Sequence, residues 1–255
     1  MALKLLILGG TTEANALAAR LAGDSRFEAM LSLAGRTASP APSPIPRRIG
    51  GFGGVEGLSR YLSQESIDIL VDATHPFAER ISANARAAAA ATGVPLIAFE
   101  RPEWEPAPGD RWIRVRGMDE AVAVLTREPS RVLLTVGRQS IAPFAARPEH
   151  HYVIRVIDPP EVPAAMTSFE VIAARGPFGV ESEIALLREQ RIDVLVSKNS
   201  GGTAAAAKLT AARTLRVRVI MVARARHDGV AALTDLEAVL AELEHRHAAL
   251  TKRSL

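Results

Sequence analysis

Displacing the chain by 125 residues lays its second half on its first. G-G-F-G-G-V-E (50–56) falls on R-G-P-F-G-V-E (175–181), Q-E-S-I-D-I-L-V (64–71) falls on E-Q-R-I-D-V-L-V (189–196), and Val94 meets Val219 without a gap. Each copy runs through a glycine turn, a helix, an apolar strand, a polar loop, an Ala-rich helix and a further strand. Strands that alternate with helices and read as continuous apolar runs belong to parallel sheets covered on both faces. The repeat therefore predicts two similar α/β domains with parallel sheets, their strand ends facing a shared cleft. R-P-E-W-E-P-A-P-G-D (101–110) breaks the rhythm and divides residues 1–100 from 111–255.

In the first half, L-K-L-L-I-L (3–8) reads as a buried strand that ends in glycines. An Ala/Leu-rich helix is expected over 12–21 and a second strand over 27–33. S-P-A-P-S-P-I-P (39–46) can join neither a helix interior nor a ladder, so it is expected as an extended surface connector or a flap. A helix over 55–63, a strand over 67–71, a helix over 79–91 and a strand over 94–99 complete the half. At equivalent positions after a strand, the two copies carry different loops, D-A-T-H-P (72–76) and S-K-N-S-G (197–201). Loops at the carboxyl ends of parallel strands carry the binding residues, so this divergence suggests one domain for a cofactor and one for a substrate.

The chain contains no cysteine among its 255 residues, which excludes disulfides, thiolate nucleophiles, iron–sulfur clusters and cysteine-ligated zinc. His150–His151 are adjacent and His245 and His247 lie near the end of the chain, so no metal site is expected. Redox chemistry here would need an organic cofactor. Only Lys4, Lys198, Lys208 and Lys252 are lysines among the 31 basic residues, so the positive charge is nearly all arginine, suited to carboxylate or phosphate partners. Aromatic residues make up 4% of the chain, which argues against a nucleic-acid partner. The apolar opening M-A-L-K-L-L-I-L stops at Gly9, too soon for a signal peptide, and no apolar run approaches the length of a membrane span. A cytoplasmic protein with no membrane partner is expected.

L-L-I-L-G-G-T-T-E-A resembles a dinucleotide-binding turn without the full G-x-G-x-x-G spacing. Gly9 and Gly10 would let the backbone approach a pyrophosphate, with Thr11, Thr12 and the helix amides binding its oxygens. Where an acid would select NAD, at the end of the second strand, stands L-S-L-A-G-R, so Ser32 and Arg36 favour the 2′-phosphate of NADPH. Arg36 could equally be a solvated loop residue. His75, after Asp72 and opposite Gly53–Gly54, is the best candidate donor to substrate or nicotinamide. K-N-S-G-G-T (198–203) is expected to open a helix and form an anion pocket, with Arg138 of G-R-Q (137–139) nearby. Lys198 could instead make an interdomain ion pair.

Taken in order, G-G-T-T-E-A, S-L-A-G-R-T, G-G-F-G-G-V-E-G-L, D-A-T-H-P-F-A, I-S-A-N-A, E-R-P-x-W, T-V-G-R-Q and K-N-S-G-G resemble the precorrin-6A reductase family over residues 4–225. The resemblance implies two Rossmann-like domains, NADPH as hydride donor, and reduction of one carbon–carbon double bond of a polycarboxylate tetrapyrrole, precorrin-6A, to give precorrin-6B in cobalamin biosynthesis. It assigns Gly9, Gly10, Thr11, Thr12, Glu13, Ser32, Arg36, Gly53, Gly54 and Ala73 to the cofactor. It assigns Arg138, Lys198, Asn199, Ser200, Gly201 and His75 to the substrate, with His75 and Asp72 as catalytic candidates. Contacts with neighbouring pathway enzymes would be transient. The alternatives are a reductase of the cobalt-containing equivalent, a non-catalytic NADP(H)-binding sensor, or a nucleotide-sugar-type transferase.

Overall fold

The computed structural model describes residues 2–35, 42–224 and 232–253. It divides into two compact units, Met1–Pro102 with Arg226–Leu255, and Glu103–Ala225.

The first unit contains β1 (Leu3–Leu8), α1 (Thr12–Leu21), β2 (Phe27–Leu33), β3 (Arg47–Ile49), α2 (Val55–Gln64), β4 (Ile69–Asp72), α3 (Glu79–Thr92) and β5 (Leu96–Ala98). All neighbours pair in parallel, in the order β3-β2-β1-β4-β5. The chain moves outward from β1 to β2 and β3, then crosses back to β4 and β5. The β1/β4 junction is therefore the topological switch point, where open α/β sheets bind ligands at their carboxyl edge.

Period-two alternation in β1 explains its unbroken apolar run. Leu3, Leu5 and Ile7 enter the core beneath α1, whereas Leu6 and Leu8 enter the core beneath α2 and α3. Thr11 starts α1 as its N-cap, its hydroxyl accepting from the Ala14 N–H at 3.1 Å.

The C-terminal helix, Leu236–Arg253, corrects the expected domain boundary. Its stripe of Leu236, Val239, Leu240 and Leu243 packs into the first unit's core beside α1, with Val239 and Leu243 fully buried. Glu237 and Glu244 pair with Arg20 and Arg26 at its rim. The stripe had to be covered, and nothing local in the sequence says by which unit. A second correction concerns the proline-rich connector. Ile45 is buried in the first core and the Pro46 carbonyl accepts from Leu31 N–H at 2.9 Å, so its end is packed rather than a free surface segment. Residues 36–41, including Arg36, lie outside the described residues.

The second unit contains β6 (Trp112–Val115), α4 (Met118–Ala123), β7 (Arg131–Thr135), β8 (His151–Val156), β9 (Phe169–Ala173), α5 (Val180–Glu189), β10 (Val194–Lys198), α6 (Ala207–Thr214) and β11 (Arg218–Val222). Its six parallel strands follow the order β6-β11-β10-β7-β8-β9. Five of them reproduce the first sheet, with β6 added beyond β11. The copies diverge after their first strands. In the first unit, α1 follows β1; in the second, two short 3-10 turns (Arg138–Ser140 and Ala142–Ala146) follow β7. The helix expected to open at K-N-S-G-G-T begins only at Ala207, because turns occupy the preceding residues.

Among the described residues no helix is long and apolar enough to cross a membrane, and no cluster of side chains could hold a metal ion.

Candidate functional site

At the carboxyl edge of the first sheet lies a cavity of about 490 Å³. Leu8, Leu58, Phe52 and Ile81 give it an apolar lining, Gly9 and 50–54 give it exposed backbone, and Ser32, Thr74, Arg80 and Asn84 give it polar groups. It sits on the α2/α3 side of the switch point, where an apolar slot with a few convergent polar groups suits a flat heterocyclic ligand.

Local sequence explains the shape. A Cβ on Gly9 would lie 2.6 Å from Leu31 Cδ1 and 3.2 Å from Ala14 Cβ, so a side chain there would have to push the buried Leu31 aside. Gly53 and Gly54 take φ of 83° and 91°, which swings the chain into α2 with a bare backbone facing the cavity.

Of the residues assigned to the cofactor, Gly9, Ser32, Gly53 and Gly54 line the cavity. Gly10 is exposed on the turn just before α1, at φ 112°. Thr11 has a different task from the one expected: besides capping α1, its hydroxyl donates to the Ala73 carbonyl at 2.8 Å, and it is buried. Thr11 and Ala73 thus lock the β1 and β4 turns together. Thr12 donates to Glu13 Oε2 at 3.0 Å, and the same carboxylate oxygen accepts from Arg101 Nη1 at 2.8 Å.

Asp72 ends β4, where Oδ1 accepts from the Thr74 N–H at 3.1 Å and the Thr74 hydroxyl at 2.7 Å. This turn presents Thr74, rather than Asp72 or His75, to the cavity. His75 Nδ1 accepts from the Phe77 N–H at 3.2 Å, an arrangement that places the ring proton of the neutral form on Nε2.

Three polar participants escaped the sequence reading. Arg80 and Asn84 lie one helical turn apart at the start of α3, a spacing visible as two polar positions in an Ala-rich helix. Arg48 is the third. Its Nη1 donates to Ser32 Oγ and to the Gly50 carbonyl, both at 2.9 Å, and its guanidinium carbon stands 3.8 Å from the centre of the Phe52 ring. Only the β2–β3 pairing, with Ser32 opposite Arg48, reveals this neighbourhood.

The second unit gathers cations at the carboxyl ends of β7, β10 and β11. Lys198 ends β10 and its ammonium donates to Ser140 Oγ at 2.9 Å, in the turn that starts with the exposed Arg138. Lys208 of α6 is buried, donating to Thr135 Oγ1 at 3.2 Å, with its ammonium 5.3 Å from the Trp104 ring. Arg224 Nε donates to the Asn199 carbonyl at 2.8 Å. The Asn199 side chain is committed to packing. It accepts from the Trp104 N–H and donates to the Trp104 carbonyl and Glu103 Oε2, at 2.8, 3.0 and 2.9 Å. Ser200 is buried and its N–H donates to the Lys198 carbonyl at 2.8 Å, while Gly201 takes φ 67°.

Strand registers show what fills the corresponding place in the second unit. The 125-residue displacement puts Leu70 of β4 on Leu195 of β10. Leu70 pairs with Leu6 and Leu6 with Met30, while Leu195 pairs with Leu133 and Leu133 with Val153. Two residues further along β2 and β8, Ser32 corresponds to Arg155. The same displacement puts Leu58 on Glu183. Where the first unit has a serine and a leucine lining a cavity, the second has the buried ion pair Arg155–Glu183, with the Phe178 ring 4.2 Å over the guanidinium.

A family model described as precorrin-6x reductase CbiJ/CobK matches residues 4–244. A precorrin-6A reductase of Sinorhizobium sp is 51% identical over 242 residues, covering 95% of this chain and 93% of the relative. A solved structure of CobK precorrin-6A reductase agrees at a TM-score of 0.91 and 48% identity, covering 96% of this chain and 97% of that one. A cobalt-precorrin-6A reductase of Methanothermobacter thermautotrophicus is similar at 30% identity over 234 residues, covering 87% of this chain and 76% of the relative.

Proposed function

The chain belongs to the precorrin-6x reductase family, and from that premise we propose that it reduces cobalt-free precorrin-6A to precorrin-6B with a hydride from NADPH. Identity carries the choice of substrate. The chain is 51% identical to a precorrin-6A reductase and 30% identical to a cobalt-precorrin-6A reductase, each over most of its length. The enzyme is an oxidoreductase of cobalamin biosynthesis that works in the cytoplasm and meets neighbouring pathway enzymes only transiently.

The residues of the first unit fit a dinucleotide. The turn after β1 has no room for a side chain at Gly9, α1 presents its N-terminal dipole there, and no carboxylate stands at the end of β2 to select NAD. Ser32, Gly9, Gly53 and Gly54 would hold the nucleotide half, and Arg36, three positions after β2 in the sequence, is assigned to the 2′-phosphate. When bound, NADPH supplies a hydride to an electron-poor carbon of the macrocycle.

The protein contributes orientation and electrostatics. Lys198 and Arg138 bind the acetate and propionate side chains of the macrocycle, with Ser140 holding the Lys198 ammonium at the end of β10. Asn199, Ser200 and Gly201 shape that loop. His75, with its proton on Nε2, is the candidate proton donor, and Asp72 fixes the turn that carries it.

A non-catalytic NADP(H) sensor would use the first unit alone and leaves the basic carboxyl edge of the second without a task. The deciding experiment supplies the purified protein with precorrin-6A and NADPH and follows loss of the reduced-nicotinamide absorbance. Turnover with precorrin-6A, and much slower turnover with its cobalt-containing equivalent, is expected. NADPH binding without oxidation would overturn the enzyme reading in favour of the sensor.

A further inference from the structure

We propose that Arg48 is a further specificity-determining residue, beside Arg36, that reads the 2′-phosphate of the dinucleotide, an inference that rests on the NADPH reading above. Arg48 lies on the edge strand β3, directly opposite Ser32 at the end of β2. In sheets of this topology that point faces the adenosine ribose. The guanidinium is held on several sides. Nη1 donates to Ser32 Oγ and the Gly50 carbonyl, Nη2 to the Gly51 carbonyl at 3.4 Å, and the guanidinium carbon stands 3.8 Å from the centre of the Phe52 ring and 5.4 Å from that of Tyr61, two rings that pack edge to face on one side of it.

All of these partners are neutral. Among the described residues, no carboxylate lies within ion-pair distance of Arg48, although most arginines placed inside a fold have one. Arg155 of the second unit is paired with Glu183, and Arg101 with Glu13. A guanidinium has five N–H donors, of which these contacts engage three, so Nε–H and one N–H of Nη2 remain for a ligand. That edge matches two phosphate oxygens at once.

The aromatic faces fix the plane without neutralising its charge, so little side-chain freedom remains to be lost when a dianion arrives. Ser32 and Gly50–Phe52 line the nucleotide cavity, so the contacts of the guanidinium place Arg48 directly behind the wall of the slot. The second unit offers an internal contrast. Ile172 pairs with Arg155 there just as Arg48 pairs with Ser32 here, so the position of Arg48 is apolar in the copy whose slot is filled by an ion pair.

A purely structural alternative makes Arg48 a clip for the glycine loop at 50–54. The two roles separate when ligands with and without the 2′-phosphate are compared. Titration calorimetry of the full chain with adenosine 2′,5′-bisphosphate and with adenosine 5′-monophosphate provides the probes. The parent should bind the bisphosphate at least roughly tenfold more tightly, and Arg48→Gln should abolish most of that ratio while changing monophosphate affinity by less than about threefold. Arg48→Lys, which keeps the charge without the fork, should give an intermediate ratio.

Ser32→Asp supplies an independent variant with Arg48 intact. Its carboxylate would pair with the guanidinium and should likewise erase the preference. If Arg48→Gln weakens both ligands equally, or neither, or if Ser32→Asp keeps the parent ratio, the inference is overturned while the NADPH reading stands. A parent that does not distinguish the two ligands overturns the NADPH reading itself.

Discussion

Replacing Glu183 by Leu should destabilise the second unit severely, and replacing Arg155 by Met as well should restore it. Glu183 is 1% exposed and Arg155 8%, so neither charge has water to fall back on. The single change leaves a guanidinium under the Phe178 ring with no counter-charge, and loss of one member of a buried pair costs about 3–5 kcal/mol. Arg155→Met alone strands the carboxylate, whose Oε2 already has no hydrogen-bond partner, at a similar cost of about 3–5 kcal/mol. The double variant buries two apolar side chains of similar bulk and should fall within about 1 kcal/mol of the parent, giving a coupling of several kcal/mol in a double-mutant cycle. Both tryptophans, Trp104 and Trp112, belong to the second unit, so tryptophan fluorescence during urea denaturation reports that unit alone. If the single variants cost less than about 1 kcal/mol each, or if their effects simply add, the buried pair is not the closure described here.

Lys198→Ala should raise the KM for precorrin-6A about tenfold and leave NADPH affinity nearly unchanged, as the loss of one charge-assisted contact predicts; steady-state kinetics check both. Gly9→Ala should weaken NADPH binding by tenfold or more, because the new methyl group would lie 2.6 Å from Leu31 Cδ1 and push the turn outward; calorimetry with NADPH measures this. Burial pushes the pKa of His150 and of His151 down, so below the ordinary histidine value near 6.5 each takes up a proton less readily in the fold than in the unfolded chain. The unfolded state therefore binds more protons, and stability of the second unit should fall as pH drops below about 6.5. His150→Gln should flatten that slope in denaturation curves taken from pH about 7 to 5.

Elements whose signal is local were legible in the sequence. β1, α1 and β2 occupy the residues expected of them, because an unbroken apolar strand ending in glycines and an Ala/Leu-rich helix each declare their own ends. The 125-residue repeat carried enough pattern to specify two parallel sheets. What stayed hidden depends on contacts between distant residues. β3 is only three residues long and is a strand because β2 offers it an edge, so nothing announced Arg48 as a neighbour of Ser32. The Thr11 hydroxyl was read as a phosphate ligand because its destination, the Ala73 carbonyl, is 62 positions away. K-N-S-G-G-T resembled a helix start because its residue types suit one, yet the backbone first passes through turns to Ala206. The C-terminal helix displayed an apolar stripe but gave no indication of which sheet would cover it.

That helix also bears on the order in which the molecule can be made. A ribosome releases Met1–Pro102 first, but this segment lacks the side chains of Val239 and Leu243 that complete the core under α1. Glu103–Ala225 is contiguous and can finish folding while the first segment waits with an apolar face uncovered. The half of the protein synthesised first is therefore the last to become complete. A released chain truncated before residue 236 should hold a protease-resistant second unit and a first unit that is still digested.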